Sequence, residues 1–263
     1  LGSGVKYSKH QNQLNELMTQ VCEICGLLVS RLNLNDHVQD VKFRAENGKG
    51  AWFLTLNTEM LARGARDPAY WNMLKSADII TADGMPVVWA SGIKHPGAAI
   101  EGRTTGVDLV DAMLRMQGVP RFAVIGGKSP LLTVERYGEQ ALEACAFVFD
   151  GKVDLSDDQL ASFCDELTRE KVRVVFIALG VPKQDQLAAE LRLRMPQLVL
   201  LGIGGTFEIL GPGGSRAPQW MQRVGLEWLY RLVKEPARLW RRYLINYPRG
   251  IWILFKDSMI RGH

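Results

Sequence analysis

Two short stretches place polar side chains where an apolar run gives way to glycine or to a new segment. Thr81-Ala82-Asp83-Gly84 ends one such run with a carboxylate. Asp-Gly is a common turn pair, so a turn or helix cap is one reading. The chemical reading is a general base: Asp83 projects into a crevice, Gly84 leaves room for a substrate, and partial desolvation raises the carboxyl pKa towards working pH. Thr55-Leu56-Asn57 ends another run, followed by Glu59. Thr55 and Asn57 are placed to orient a sugar or Asp83, although Asn57 also fits an N-cap for the next helix. Arg103, in GRTTG, precedes a helix start, where a guanidinium clamps a phosphate or sugar hydroxyls, or forms a surface ion pair with Asp108.

The longest informative stretch reads ALGVPKQDQ and then, after a helical segment, LVLLGIGGTFEILGPGGSRAPQW. Its two apolar runs, 172–179 and 198–203, each break at glycine. Gly204 and Gly205 permit close backbone approach, and exposed N–H groups at a following helix start suit a phosphate. Lys183, Gln184 and Arg216 add a point charge, an amide and a planar cation at the same edge. Either turn alone closes an α/β unit; both together, with the cations, describe a site for a diphosphate-bearing nucleotide.

These positions need strands that end at one edge. The spacing predicts strands at AWFLTLN, ADIITADG, RFAVIGG, AFVFDG and the two runs above. Helices are predicted over 58–66, 68–76, 85–93, 107–116, 129–144 and 156–170, with a strand and an Asn33–Asp36-capped helix in 26–48 and a helix over 9–25. Alternation at this rhythm predicts an α/β fold, a doubly wound parallel sheet. The opening LGSG reads as a cloning remnant. No linker precedes about Gly225, so the division expected is a body over 5–224 and an appendage over 225–263.

At 263 residues and 47% hydrophobic, the chain can bury a large core. No secretory signal and no run of about 18 apolar residues is seen. Cys22 and Cys25 form one C-x-x-C with no second pair at zinc-like spacing, so the four cysteines are expected as reduced thiols. Net charge is +4, but from Trp228 onward eight basic residues face two acids, giving that tail +6. LEWLYRLVKEPARLWRRYLINYPRGIWILF sets Trp, Leu, Tyr and Ile among arginines, which suits a helix lying in a headgroup plane. Pro236 and Pro248 are expected to break it. Arg231, Arg238, Arg241 and Arg242 are candidates for neutralising phosphates at such a surface, with Trp240, Tyr243 and Leu244 facing lipid or the body. A soluble pair of helices packing on the body, or a dimer contact, is the other reading. No nucleic-acid reader motif accompanies the charge.

TLNTEM, ADGMPVV, GRTTGVDL, ALGVPKQD, GIGGTFEILGPGGSRAP and GLEWLYRLVKEPARLWRRY follow one another in the order of the WecG/TagA/CpsF glycosyltransferases, glycosyltransferase family 26, which the chain resembles from about Gly26 to its end. The resemblance implies a Rossmann-like body of the GT-E type. It implies an inverting, metal-independent hexosyltransferase using no cofactor, with a UDP-sugar donor (UDP-glucose or UDP-N-acetylmannosamine type) and a polyprenyl-diphosphate-linked saccharide acceptor. Such an enzyme makes exopolysaccharide or cell-wall polymer, peripheral on the inner face of the bacterial cytoplasmic membrane. It places the catalytic aspartate on Asp83, the T-x-N motif on Thr55 and Asn57, the R-x-x-G arginine on Arg103 and the P-K-Q glutamine on Gln184, and sets Glu208 beside the Gly204-Gly205 turn. Asp185 and Glu208 stand where the family usually has Glu and Asp, and GPGGSRAP is richer in glycine. These departures keep charge, alter reach and bear on the donor sugar. Two rival readings are a Rossmann-type oxidoreductase, although no ungapped G-x-G-x-x-G opens a helix, and a membrane scaffold with a vestigial site.

Overall fold

The structure, a computed structural model, describes residues 20–260. Eight strands form one sheet in the order β1-β2-β4-β3-β8-β7-β5-β6. They are β1 (Val21–Ile24), β2 (Leu27–Ser30), β3 (Ala51–Leu56), β4 (Ile79–Ala82), β5 (Phe122–Gly126), β6 (Cys145–Phe149), β7 (Val174–Ala178) and β8 (Val199–Gly202). Only the β1–β2 hairpin is antiparallel. The central strands are buried on both faces, as parallel strands under two helix layers must be. Along β3, Trp52, Leu54 and Leu56 join one core while Ala51 and Phe53 join the other. That period of two separates the layers.

One layer holds α2 (Thr58–Gly64), α3 (Pro68–Leu74), α4 (Met85–Lys94), α8 (Asp157–Arg169) and α9 (Lys183–Arg194). The other holds α1 (Leu34–Asn47), α5 (Gly106–Arg115), α6 (Pro130–Glu135), α7 (Glu139–Ala144) and α10 (Thr206–Leu210). The helix expected over 129–144 is two helices, because Gly138 adopts φ 95° and breaks the run. Cys22 lies on a strand and Cys25 in the hairpin turn, not on a helix; residues 9–19 of that expectation lie outside the described residues. All four cysteines are free, and burial pushes the Cys22 and Cys25 thiols up to about 11 and about 12.

Beyond β8 the chain continues through α11 (Gln219–Arg223), α12 (Glu227–Lys234), α13 (Pro236–Arg241), a π-helical turn (Arg242–Asn246) and α14 (Tyr247–Met259). Pro248 does not break it: the Tyr247 N–H bonds back to Arg242 O, and this wider turn leads into a helix with Pro in its first turn. Leu239, Tyr243 and Leu254 are buried against the body. α14 crosses α2 so closely that a Cβ on Gly250 would stand 2.2 Å from Thr58 O, so only glycine fits there. At its far end Asp257 accepts from the buried Lys94 Nζ at 2.9 Å and from the Cys25 N–H at 2.9 Å. Lys94 is also 2.5 Å from Glu23 Oε2, so its charge is shared between the hairpin and the tail.

Candidate active site

β3 leads to β4 on one side of the sheet, while its other neighbour, β8, is reached from β7. Such a switch point leaves a crevice beyond the carboxyl ends of the strands. Here it encloses about 320 Å³ between the body and the tail.

Each body residue in the crevice is fixed by a local bond. Thr55 Oγ1 donates to Gly202 O at 2.9 Å and ties β3 to β8. Asn57 Oδ1 accepts from the Glu59 and Met60 N–H groups, so Asn57 caps α2 while it lines the crevice. Gln184, on the first turn of α9, accepts from the Gly204 N–H at 2.9 Å. That N–H, expected to face a phosphate, is therefore engaged within the protein. Gly84, at φ 126°, turns the chain into α4 directly after Asp83, a conformation that favours glycine.

The Arg103 loop is held from three directions. The Thr104 N–H donates to Ala82 O at 2.8 Å and Thr81 Oγ1 donates to Thr104 O at 3.0 Å. Thr104 Oγ1 lies 3.1 Å from Nδ1 of His37, a buried ring that burial holds at a pKa of about 4 and so neutral. From this loop Arg103 reaches the tail, donating to Glu227 Oε2 at 2.8 Å and Gln222 Oε1 at 3.0 Å.

The tail closes the other wall with Glu227, Trp228, Arg231, Arg238, Arg242, Tyr243 and Tyr247. Arg242 pairs with Glu59 at 3.1 Å and Arg238 with Glu235 at 2.8 Å. Arg231 has no ion-pair partner among the described residues, and its Nη2 lies 3.5 Å from where a Cβ on Gly205 would stand. Asp83 lies at the centre. Burial pushes its carboxyl up to about 6; Arg242, Arg103 and Arg231 oppose that rise, and Glu227 adds to it. A carboxyl there is ionised at neutral pH and still accepts a proton readily. Burial, then Tyr243 and Asp83, push the Tyr247 phenol up to about 12, so it stays neutral.

The structure thus brings Thr55, Asn57, Asp83, Arg103, Gln184, Gly204, Gly205, Arg231, Arg238 and Arg242 to one crevice. It does not bring Lys183, Glu208, Arg216 or Arg241 to its wall. Lys183 Nζ turns away and donates to Val153 O at 2.7 Å. Arg216 is bound to Asp108 beside α5. Glu208 lies behind Gly205 with its Oε2 buried and without a hydrogen bond. Arg241 packs over the Trp240 ring at 5.2 Å. Lys183 and Gln184 are adjacent on one helix, hence about 100° apart, and cannot face the same way. Sequence reasoning noted Glu59 without giving it a role and passed over Glu227, Trp228 and Tyr247 as crevice residues. Tyr243 and Tyr247 are four apart and their rings meet at 5.9 Å, a spacing visible in the sequence; Glu227 stands one residue before the basic count began.

Among the described residues, no three His, Cys, Asp or Glu side chains converge as a metal site. Asp185 is buried on the far side of Gln184, bonded to the Tyr70 hydroxyl at 2.6 Å, and burial pushes its carboxyl up to about 7.

A partly buried carboxylate at a switch point, facing arginines across a crevice, is an arrangement suited to transferring a group from an anionic donor. The profile of the glycosyl transferase WecG/TagA/CpsF family matches residues 22–263. The chain is also 33% identical over 219 residues, 81% of its length and 82% of the relative's, to an N-acetylglucosaminyldiphosphoundecaprenol N-acetyl-beta-D-mannosaminyltransferase of Bacillus spizizenii. The chain belongs to the WecG/TagA/CpsF glycosyl transferase family. Membership makes it a hexosyltransferase and sets aside the oxidoreductase reading.

Proposed function

We propose that the protein is an inverting, metal-independent transferase that moves N-acetylmannosamine from its UDP ester to N-acetylglucosamine on a polyprenyl diphosphate, in cell-envelope polymer synthesis. The observation that carries this reading is Asp83, a partly desolvated carboxylate at the centre of a crevice walled by arginines. The acceptor hydroxyl attacks the anomeric carbon and gives its proton to Asp83. The bond from that carbon to the phosphate oxygen breaks, and its electron pair leaves on UDP. One displacement inverts the anomeric centre. Arg231 is the cation available to the departing diphosphate and favours the charge that develops on it.

The ion-pair inventory supports a neutral donor sugar. Arg103, Arg238 and Arg242 already face Glu227, Glu235 and Glu59, so the carboxylate of a uronic acid would have to displace one of these pairs, whereas a neutral sugar would not. The named activity of the Bacillus spizizenii relative supports N-acetylmannosamine over glucose. The tail supports a peripheral position on the inner face of the cytoplasmic membrane. No helix among the described residues is long and apolar enough to cross a membrane. Val233, Trp240, Leu244, Trp252, Phe255 and Ile260 are exposed beside its basic residues, the make-up of an interfacial helix.

The test is a donor screen. Purified protein is incubated with a short-chain polyprenyl-diphosphate N-acetylglucosamine and UDP-N-acetylmannosamine, its uronic acid or UDP-glucose, with and without EDTA. Product from the first donor, of inverted anomeric configuration and unaffected by EDTA, is expected. Transfer from UDP-glucose alone, or restoration by Mg²⁺ after EDTA, overturns the donor or the metal-free assignment.

A further inference from the structure

The backbone of the Arg103 loop is pinned by Ala82, Thr81 and His37, but the arginine side chain is long. A guanidinium in a crevice pairs with whichever carboxylate it meets, and the lining offers Asp83 and Glu59 from the body, the latter already paired with Arg242, and Glu227 from α12. In the docked arrangement the tail takes both ends of it: Glu227 Oε2 accepts from Nη1 at 2.8 Å and Gln222 Oε1 from Nη2 at 3.0 Å. Glu227 is steadied in turn. Arg216 Nε lies 3.9 Å from its Oε1, Arg216 is bound to Asp108, and Asp108 accepts from Thr105 Oγ1 at 2.7 Å. This network runs from the tail to the first turn of α5 and leaves Asp83 out.

We propose that Glu227 is a positioning residue of the transfer reaction: with Gln222 it holds Arg103 clear of Asp83, so the base is fully armed only while the tail is docked. The proposal rests on Asp83 being the base. The charged groups facing Asp83 are Arg103 from its loop, Glu227 and Arg231 from α12 and Arg242 from the π-helical turn, with the Tyr247 phenol beside them. Undocking the tail admits water to Asp83, withdraws Glu227 and frees Arg103 to pair with the carboxylate. All three favour the ionised form and weaken it as a base; the withdrawal of Arg231 and Arg242 opposes them, but burial is the largest influence on this group. A donor bound before the tail closes therefore meets a weaker base, which restrains transfer of its sugar to water.

The experiment compares the pH dependence of kcat/KM for wild type, Glu227→Gln and Glu227→Asp. Glu227→Gln keeps an oxygen for Arg103 but removes the charge. It is expected to move the acid limb down by about half to one pH unit and to lower the plateau roughly 3–10-fold. Glu227→Asp keeps the wild-type limb. In an Arg103→Met background the shift caused by Glu227→Gln shrinks. A loss at every pH with an unmoved limb, a limb moved upward, or an undiminished shift without Arg103 overturns the proposal. Carbon-13 titration of the Asp83 carboxyl, assigned with Asp83→Asn, is the second readout. It is expected to move down in Glu227→Gln, and an unmoved titration also overturns the proposal. A wild-type protein with no transferase activity would sink the functional reading, yet this titration would still decide the role of Glu227. Melting curves of each variant confirm that the tail remains folded.

Discussion

The body wall and the tail wall of the crevice present their polar groups differently. On the body side, Thr55 is spent on Gly202, Asn57 on the first turn of α2 and Gln184 on Gly204. These side chains hold backbone, and so hold shape. On the tail side the cations are Arg231, Arg238 and Arg242, two of the three bound to carboxylates that ligand phosphates can replace. One wall is preorganised and the other exchangeable. The division suits a reaction in which the base must not move and the charge on the leaving group appears only as the bond breaks.

Breaking the body wall at its centre has the largest expected effect. Asp83→Asn should lower kcat roughly 10²–10⁴-fold with little change in donor affinity by calorimetry. It should also stabilise the fold. The folded carboxyl titrates near 6, above the ordinary value near 4, so the stability linked to this group is fully present at low pH and falls as pH rises from about 4 to about 6. At pH 8 the asparagine variant should therefore be more stable by about 3 kcal/mol in urea unfolding. Equal stability would show that the base is not desolvated.

Breaking the tail wall at its unpaired cation comes next. Arg231→Ala should lower kcat/KM for the donor roughly 10²-fold, whereas Arg241→Ala, whose guanidinium lies on Trp240, should change it little. Similar losses in both would mean that the tail acts as a diffuse field. The anchor of the tail is third. Asp257→Ala leaves Lys94 with one half-exposed partner, Glu23, and should cost about 1–3 kcal/mol, below the usual penalty for a broken buried pair because that partner meets water. Proteolysis within α14 should rise in parallel. Asn57→Ala is the smallest: loss of the cap should cost about 1 kcal/mol. A far larger fall in turnover than in stability would give Asn57 a role with the sugar beyond the cap.

The same contrast explains what the sequence made legible. The strands from β2 onward and the loop-edge positions of Asp83 and Arg103 follow from where apolar runs meet glycine; β1, read as part of a helix over 9–25, and the strand order that makes the switch point do not. Junctions of apolar runs with glycine are local signals, and the fold obeys them. Lys183 and Arg216 sit in the same suggestive stretch as Gln184 and Gly204 but turn elsewhere. For Lys183 this follows from helix phase. For Arg216 it follows from Asp108, more than a hundred residues away in sequence. The π-helical turn has no sequence signature that composition or periodicity reads. It places Arg242 and Tyr247 on the crevice while Arg241 rests on Trp240. Glu227 became visible as a crevice residue only when α12 was seen to lie across the Arg103 loop.

The order of the chain adds a consequence in time. Asp83, Arg103 and the Gly204-Gly205 turn are made before any residue of α12 to α14, and Asp257, which fastens the tail, is made after all of them. Domains begin to fold while synthesis continues, at about 5–20 residues per second. A nascent chain therefore has the body wall of the crevice before it has the cations of the tail wall. A chain released before α12 is made therefore carries the body wall of the crevice without the cations that face it.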